Sequence, residues 1–465
     1  MSNLNSSSVD FSSLGLHPDL LKNLESLSYH KMTPIQSQSL PLILRGLDVI
    51  GQGKTGSGKT ASFGLGILQK LEVKRFRIQS LVLCPTRELA DQVAKEIRRL
   101  ARSIHNIKVL TLCGGVAIGP QIGSLAHGAH IIVGTPGRVE DHIRKGNLNL
   151  DHVQLLVLDE ADRMLEMGFA DTLDRILDYT PEKRQTLLFS ATFPKEIQAI
   201  SERVMQEPIM VKVDDKHDDN TIVQHFYEVR DNDERVVAIR LLLLDMRPES
   251  TVVFCNTKRE CQDIADELGH HGFNALALHG DLEQRERDEA LVRFSNKSES
   301  VLVATDVAAR GLDIESLDMV INYHIARDPE IHVHRIGRTG RAGSKGVACS
   351  LFAAKEHNKI SVLEDFSERT IEAEALPSLD LLQERPAAPV MVTVQVNGGK
   401  KHKIRPGDIL GALTGEGGVA GEKVGKISIF YGSSFVAIRR ESVATALKML
   451  GEGKLKGRSF RARRI

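Results

Sequence analysis

Val49-Ile50-Gly51-Gln52-Gly53-Lys54-Thr55-Gly56-Ser57-Gly58-Lys59-Thr60 decides how the first part of this 465-residue chain folds. From Gly53 it reads G-x-x-x-x-G-K-T, a phosphate-binding loop. Gly56, Ser57 and Gly58 let backbone N–H groups curl around phosphate oxygens, at dihedrals and distances that a Cβ would block. Lys59 brings a positive charge to the outer phosphates, and the Thr60 hydroxyl can ligate a bridging Mg²⁺. Asp48-Val49-Ile50 can end a strand. Ala61 to Leu71 is apolar and free of Pro, so it can form the helix whose N-terminus faces the nucleotide.

Outward from the loop, short β-like runs alternate with helical stretches. Ser80–Cys84, Lys108–Cys113, Ile131–Val133, Leu155–Leu158 and Thr186–Phe189 are near-continuous Val/Leu/Ile runs. Such runs belong to a parallel sheet covered on both faces. Upstream, apolar residues recur at helical spacing from Phe11 to Leu27, and Thr33-Pro34 opens a helix through Leu44. A second set follows the charged break Asp214 to Asn220: Thr251–Phe254, Ala275–Leu278, Ser300–Val303, Met319–Ile321 and Val347–Leu351. The last part has β-like runs at Val390–Val396, Lys426–Tyr431, Ser434–Ile438 and Ser459–Arg463, with helical runs at Asp408–Leu413 and Glu441–Leu450.

A chain this long divides into several domains. We expect a disordered stretch over 1–10, a doubly wound parallel-sheet domain over 11–210 and a linker over 211–220. A tandem domain of the same kind over 221–370, a linker over 371–389 and a small α+β module over 390–465 complete the division. Lys+Arg and Asp+Glu both number 61, so the formal net charge is zero. That balance hides an asymmetry, because residues 390–465 hold 15 Lys/Arg against 5 Asp/Glu. A basic module on an acidic body points to a polyanionic partner. The five cysteines are scattered without a C-x-x-C pair, and four of them sit in apolar runs and read as buried hydrophobes in a reducing compartment. No segment approaches 18 consecutive apolar residues, and the N-terminus lacks the pattern of a signal peptide. The expectation is a cytoplasmic protein without membrane association.

A phosphate loop alone says only that a nucleotide binds. Leu155-Leu156-Val157-Leu158-Asp159-Glu160-Ala161-Asp162 adds acids at the carboxyl end of an apolar strand, where open α/β sheets bind ligands. Asp159 suits a Mg²⁺-linked role, indirect or through water. Glu160 can orient or deprotonate the water that attacks the γ-phosphate.

With the intact tetrapeptide Asp159-Glu160-Ala161-Asp162, residues 11–370 resemble the DEAD-box RNA helicases. The resemblance implies two tandem RecA-like domains and ATP and Mg²⁺ as cofactors. Tyr29-His30-Lys31-Met32-Thr33-Pro34-Ile35-Gln36 looks like the family's adenine-reading motif, in which Gln36 bonds the base edge and Tyr29 stacks on it. Ser28 stands where Gly is usual and Met32 where Pro is frequent, and neither change removes a hydrogen-bonding group. Ser190-Ala191-Thr192 resembles the motif that couples hydrolysis to RNA through Asp162. Pro85-Thr86-Arg87, Gly114-Gly115 and Thr135-Pro136-Gly137-Arg138 look like the RNA-facing motifs of the first domain. They offer arginines, hydroxyls and backbone N–H groups suited to sugar–phosphate contact. In the second domain Asn256-Thr257, Gln284, Arg287 and Thr305 match RNA-contacting positions, and Asp313 would meet ATP. His334-Arg335 belong to the coupling motif. Arg338 and Arg341 would act as arginine fingers, worth about 10³–10⁵ in rate and effective only when the two domains close.

The module over 390–465 reads β-α-β-β-α-β, the order of an RNA-recognition-motif fold. Its stacking signature is weak. Phe435 is kept, but Ser433 and Thr393 stand where stacking aromatics belong, so basic loops should grip the RNA instead. The candidates are Lys400, Lys401, Lys403, Arg405, Arg439 and Arg440. Gly398 to Gly415 resembles the C-terminal module of one bacterial branch of the family. That resemblance implies a hairpin of 23S ribosomal RNA and pre-50S particles as partners, while a monomer is the default expectation. Two rivals stay open. A DNA translocase would respond to DNA as to RNA, and an ATP-controlled RNA clamp would show no strand displacement.

Overall fold

The computed structural model describes residues 9–53, 56–213, 222–309, 317–340 and 345–465. They group into two compact units, one holding the described residues up to 213 and the other those from 222 onward. The first unit is built on a seven-stranded sheet. Its strands are β1 (Val49–Gln52), β2 (Ser80–Leu83), β3 (Val109–Leu112), β4 (Ile131–Gly134), β5 (Leu155–Asp159), β6 (Gln185–Ser190) and β7 (Ile209–Lys212). Their spatial order is β3-β4-β2-β5-β6-β1-β7, and every pairing is parallel.

Side chains of successive strand residues point to opposite faces, so continuous apolar runs need a cover on both. Here both covers exist. Val82, Val133, Val157 and Leu187 face one core with Ile97 and Phe63. Leu81, Leu156, Leu158 and Leu188 face another with Val139, Leu173 and Ile197. Each fully buried aliphatic side chain contributes about 1.5–3 kcal/mol. All parallel strands end at one edge, so the loops after β1, β2, β4 and β5 emerge side by side. That edge carries the candidate residues.

The second unit contains a six-stranded parallel sheet and a four-stranded antiparallel one. The parallel sheet comprises β8 (Ile222–Glu228), β9 (Thr251–Cys255), β10 (Ala275–Leu278), β11 (Val301–Thr305), β12 (Met319–Asn322) and β13 (Gly346–Phe352). Its order is β10-β11-β9-β12-β13-β8. The small sheet comprises β14 (Met391–Val396), β15 (Val424–Ile429), β16 (Ser434–Arg439) and β17 (Ala462–Arg464), in the order β15-β16-β14-β17. Helices Pro406–Leu413 and Val443–Glu452 cover one of its faces through Ile409, Leu413, Ala446 and Leu450. The architecture is therefore two RecA-like parallel-sheet α/β folds and one small α+β fold, as the sequence patterning indicates.

The other face of the small sheet is also covered. Thr393, at the centre of β14, is fully buried and bonded to Asn296 (Nδ2 to Oγ1, 3.1 Å) and Ser298 (2.7 Å) at the end of helix Gln284–Ser295. The stretch between the two sheets is not a free tether. Glu374 bridges to Tyr227 and accepts from His225, while Leu376, Leu381 and Leu382 pack on the parallel sheet's core.

Some local expectations shift. The helix read over Phe11–Leu27 is a short 3-10 turn (Phe11–Leu14) and a helix (Pro18–Ser26), divided where Gly15 takes φ +62°. Asp10 pairs with Lys31 rather than trailing in solvent. The edge strands β7 and β8 carry exposed residues, so no continuous apolar run announces them. The five cysteines are buried and free of disulfides.

Candidate active site

The phosphate loop follows β1, and its helix Lys59–Lys70 starts from Gly58 at φ +98°. Gly56 is also left-handed, at φ +85°. A Cβ on Gly51 would meet the Phe189 ring at 2.5 Å, so this glycine lets β1 and β6 close behind the loop. Lys59 is buried, and its ammonium donates to the Gly53 carbonyl within the loop itself. Thr60 sits one residue further, in the first turn of the same helix.

Gln36 is buried against this loop. Its Nε2 donates to the Gly58 carbonyl (3.1 Å), and its Oε1 accepts from the Thr33 backbone N–H (2.9 Å). Thr33 in turn donates to the Ser57 carbonyl (2.7 Å). The segment expected to read the base thus also braces the phosphate loop. Tyr29 lies between Phe11, with ring centroids 6.2 Å apart, and the Arg99 guanidinium, 5.2 Å from the ring centre. Its hydroxyl accepts from Arg99 (2.7 Å) and donates to Glu96 (3.1 Å). The sequence reading missed both of these partners.

At the end of β5, Asp159 and Glu160 are both buried. Burial, then the adjacent Glu160 charge, pushes the Asp159 carboxyl up to about 7, against the pull of Lys59. Glu160 adopts φ +51°, ψ +52°, a left-handed conformation that costs a non-glycine residue about 1–2 kcal/mol. Strain of this kind persists where the surroundings over-determine it. Two buried carboxylates beside a lysine and a glycine-lined anion cradle suit a cation bound together with polyphosphate.

Asp162 turns away from that pair toward β6. Its Oδ2 accepts from the Thr192 backbone N–H (3.0 Å), the Thr192 hydroxyl (3.0 Å) and the Ala191 N–H (3.3 Å). The Asp162 N–H donates to Ser190 Oγ (3.4 Å). Gly53 N–H donates to the Ser190 carbonyl (3.1 Å), which closes the link back to the phosphate loop.

The remaining candidates of this unit lie at the ends of β2, β3 and β4. Pro85 is buried, Thr86 caps the helix that begins at Arg87, and Gly115 is left-handed at φ +72°. Thr135 precedes the helix that carries Arg138. Arg138 donates to Gln121 Oε1 (3.0 Å) and to the Val116 carbonyl (2.9 Å). Gln121 also accepts from His142 Nε2 (2.8 Å) and donates to the Cys113 carbonyl (3.0 Å). No sequence pattern singled out Gln121, yet it ties the loops after β3 and β4 together.

In the second unit, Asn256 and Thr257 follow β9, and Thr257 Oγ1 caps the helix Lys258–His270. Thr305 ends β11, while Gln284 and Arg287 lie on helix Gln284–Ser295. Arg335 grips Asp306 with both arms of its fork (2.7 and 2.8 Å) and lies 5.3 Å from the Phe254 ring centre. His334 precedes it on helix Pro329–Ile336, and Arg338 follows the helix end. Asp313 and Arg341 fall outside the described residues. Lys400, Lys401, Lys403 and Arg405 are exposed on the turn after β14. Arg439 ends β16 and Arg440 follows it, where Arg440 Nε donates to the Pro389 carbonyl (2.8 Å).

A DEAD/DEAH box helicase family description matches residues 33–200, and a helicase conserved C-terminal domain matches 234–343. The chain is 52% identical over 454 residues to the ATP-dependent RNA helicase DbpA of Escherichia coli, covering 97% of this chain and 99% of that one. This chain belongs to the DEAD-box helicase family. It is an ATP-dependent RNA helicase, an enzyme that hydrolyses ATP. A DbpA RNA binding domain matches residues 393–464, which is the small antiparallel sheet with its helices. The DEAD-box helicase CshA of Geobacillus kaustophilus is 45% identical over 371 residues, 80% of this chain and 79% of its own length. Among solved structures, Dbp5 of S. cerevisiae bound to RNA and ADP–BeF3 superposes with a TM-score of 0.72 at 31% identity, covering 80% of this chain and 96% of that one. Among the described residues, no helix is long and apolar enough to cross a membrane.

Proposed function

We propose that this DEAD-box helicase hydrolyses ATP in response to RNA and locally opens short ribosomal RNA duplexes. Residues 11–210 and 221–370 act as its two core domains, and residues 390–465 as a tether. The observation that carries the coupling is the triple acceptance by Asp162 from Ala191 and Thr192. It makes one rigid unit of the acid pair on β5 and the segment after β6.

In this reading Gly56, Ser57, Gly58 and Lys59 bind the phosphates of ATP, Gln36 and Tyr29 meet adenine, and Asp313 meets the ribose or phosphate side. Lys59 exchanges its Gly53 carbonyl for phosphate oxygens. Thr60 and Asp159 would hold Mg²⁺, directly or through water, and the ion supplies charge neutralisation on the outer phosphates. Glu160 orients the attacking water and accepts its proton. Arg338 and Arg341 stabilise the transferring phosphoryl group once the domains close. Pro85, Thr86, Arg87, Gly115, Thr135, Arg138, Asn256, Thr257, Gln284, Arg287 and Thr305 contact the RNA backbone. Asp162, Ser190, Thr192, His334 and Arg335 couple that contact to hydrolysis.

The basic module, by its likeness to the domain of DbpA, directs the enzyme to a hairpin of 23S ribosomal RNA during assembly of the 50S subunit. The enzyme acts as a cytoplasmic monomer. RNA-stimulated ATPase activity tests the reading, compared between 23S ribosomal RNA and a generic RNA of equal length, with strand displacement measured on a duplex beside the hairpin. We expect strong preference for ribosomal RNA and ATP-dependent displacement. Equal stimulation by both RNAs refutes the tether, and stimulation without displacement leaves a clamp in place of an unwinding enzyme.

A further inference from the structure

RNA-binding sheets of this shape ordinarily stack bases on aromatic residues of their open face. That route is closed here, because Thr393, Gln395, Phe435 and Ala437 on β14 and β16 are all buried. Phe430 is partly buried and packs edge-on against Phe435, with ring centroids 5.4 Å apart. One aromatic of the module stands clear. Tyr431, at the tip between β15 and β16, is 65% exposed.

The basic turn after β14 is docked onto this tip. Lys400 N–H donates to the Phe430 carbonyl (2.8 Å), and Lys401 N–H donates to the Tyr431 carbonyl (3.0 Å). A Cβ on Gly399 would overlap the Phe430 carbonyl and the Ser433 backbone, so only glycine allows this approach. The Lys401 Cε and Nζ lie 3.8 Å from where a Cβ on Gly432 would be, which sets the ammonium against the residue that follows Tyr431. Neither segment contains an acid: residues 397–407 and 424–440 hold no Asp or Glu. An exposed aromatic whose backbone is held by a two-lysine turn fits a nucleobase with its phosphate. Its π-face accepts a base, and the lysines accept the charge.

We propose that Tyr431 and the Lys400-Lys401 turn form a nucleobase-stacking site, in which one unpaired base of bound RNA lies on the Tyr431 ring and the adjoining phosphate meets Lys401. The proposal rests on the reading that residues 390–465 bind RNA, and it names where on that module an unpaired base is held. Stacking on one aromatic is sequence-tolerant, so the site selects for unpaired character rather than for a base identity.

The test uses the full-length chain and two fluorescein-labelled RNAs, a hairpin with an unpaired loop and a blunt duplex of equal length. Tyr431→Ala should weaken hairpin binding about tenfold and leave its salt slope unchanged, because stacking on one aromatic contributes about 1–3 kcal/mol per base. Tyr431→Phe should bind within about twofold of the parent by the same stacking argument. Lys401→Ala should reduce the salt slope by about one. Duplex binding should not distinguish Tyr431→Ala from the parent. The chain contains no tryptophan, so Tyr431→Trp supplies a single indole, whose emission should fall as the hairpin saturates it. Hairpin affinity of Tyr431→Ala equal to the parent overturns the stacking site, as does an equal loss in Tyr431→Phe. Charge reversal at Lys403 and Arg405 separates the two levels. If that variant loses hairpin binding while Tyr431→Ala does not, only the stacking site fails. If neither variant loses affinity, the module's RNA-binding role fails with it.

Discussion

Glu160 combines a buried carboxylate with a left-handed backbone, and its position follows from both. The φ of +51° turns the chain at the end of β5, so that Asp159 stays with Lys59 while Asp162 swings to Thr192. Glu160→Gln keeps the shape and removes the proton acceptor. ATP-dependent RNA binding should persist while turnover falls about 10²–10⁴-fold, the usual contribution of a general base. Single-turnover ATPase measurements at saturating RNA check this, and near-normal turnover would move the water-activating role elsewhere. The acids themselves were legible, because D-E-A-D after an apolar run is a strong pattern. The left-handed turn was not, since a backbone angle at a non-glycine residue is imposed by packing. His332 was equally invisible. It is buried beside Arg335, and burial, then the Arg335 charge, holds its pKa down to about 4. A histidine depressed below its ordinary value of about 6.5 stabilises the fold fully above that value and progressively loses this stability as pH falls toward 4. His332→Gln should therefore shrink the stability difference between pH 7 and pH 5 by about 2 kcal/mol. Thermal melts at the two pH values measure it, and an unchanged difference would place the acid sensitivity elsewhere.

At the scale of elements, Arg335 holds one helix to three strands. From helix Pro329–Ile336 it reaches Asp306 after β11 with a two-pronged bond and Phe254 of β9 with its flat face. Its Nη1 donates to the His324 carbonyl after β12 (2.9 Å). Lysine has one compact charge and no fork, so Arg335→Lys is not conservative here. Removing one partner of a buried pair costs about 3–5 kcal/mol, and the partly exposed Asp306 places this pair at the lower end. Arg335→Ala should therefore destabilise the second unit by about 3 kcal/mol, and Arg335→Lys should recover only part of that loss. Urea unfolding of the full chain reads the difference, and full recovery by lysine would show that charge alone matters. Parallel strands were readable, because each needs apolar residues on both faces. Elements whose logic is polar were not. Arg235 is fully buried and paired with Glu356, with further bonds to the Tyr323 and Leu351 carbonyls. An arginine in a helical run gives no sequence sign of that, because arginine is rarely buried unless paired.

For the molecule as a whole, charge and composition identified a basic module, but not that its open sheet face is spent on the neighbouring domain. Thr393 read only as a residue standing where a stacking aromatic belongs. The structure gives it a different job, as a hydrogen-bonding contact with Asn296 and Ser298. A docking face made of small polar residues looks like ordinary surface in a sequence, so only the fold reveals it. If this contact fixes the module so that bound RNA reaches the core, breaking it should separate binding from catalysis. Asn296→Arg places a long charged side chain at a site only 3% exposed and removes the bond to Thr393, while leaving the module's own strands untouched. RNA affinity should stay within about twofold, since the basic turn and the tip of β15–β16 are intact. Stimulation of ATPase by the same RNA should fall about tenfold, the loss expected when a tethered partner is no longer held at high effective concentration in the right orientation. Elastase provides the structural control, because release of the module should speed cleavage at Ala387-Ala388. Faster cleavage with undiminished stimulation would show that the module acts as a flexible tether, and that the covered sheet face serves stability alone.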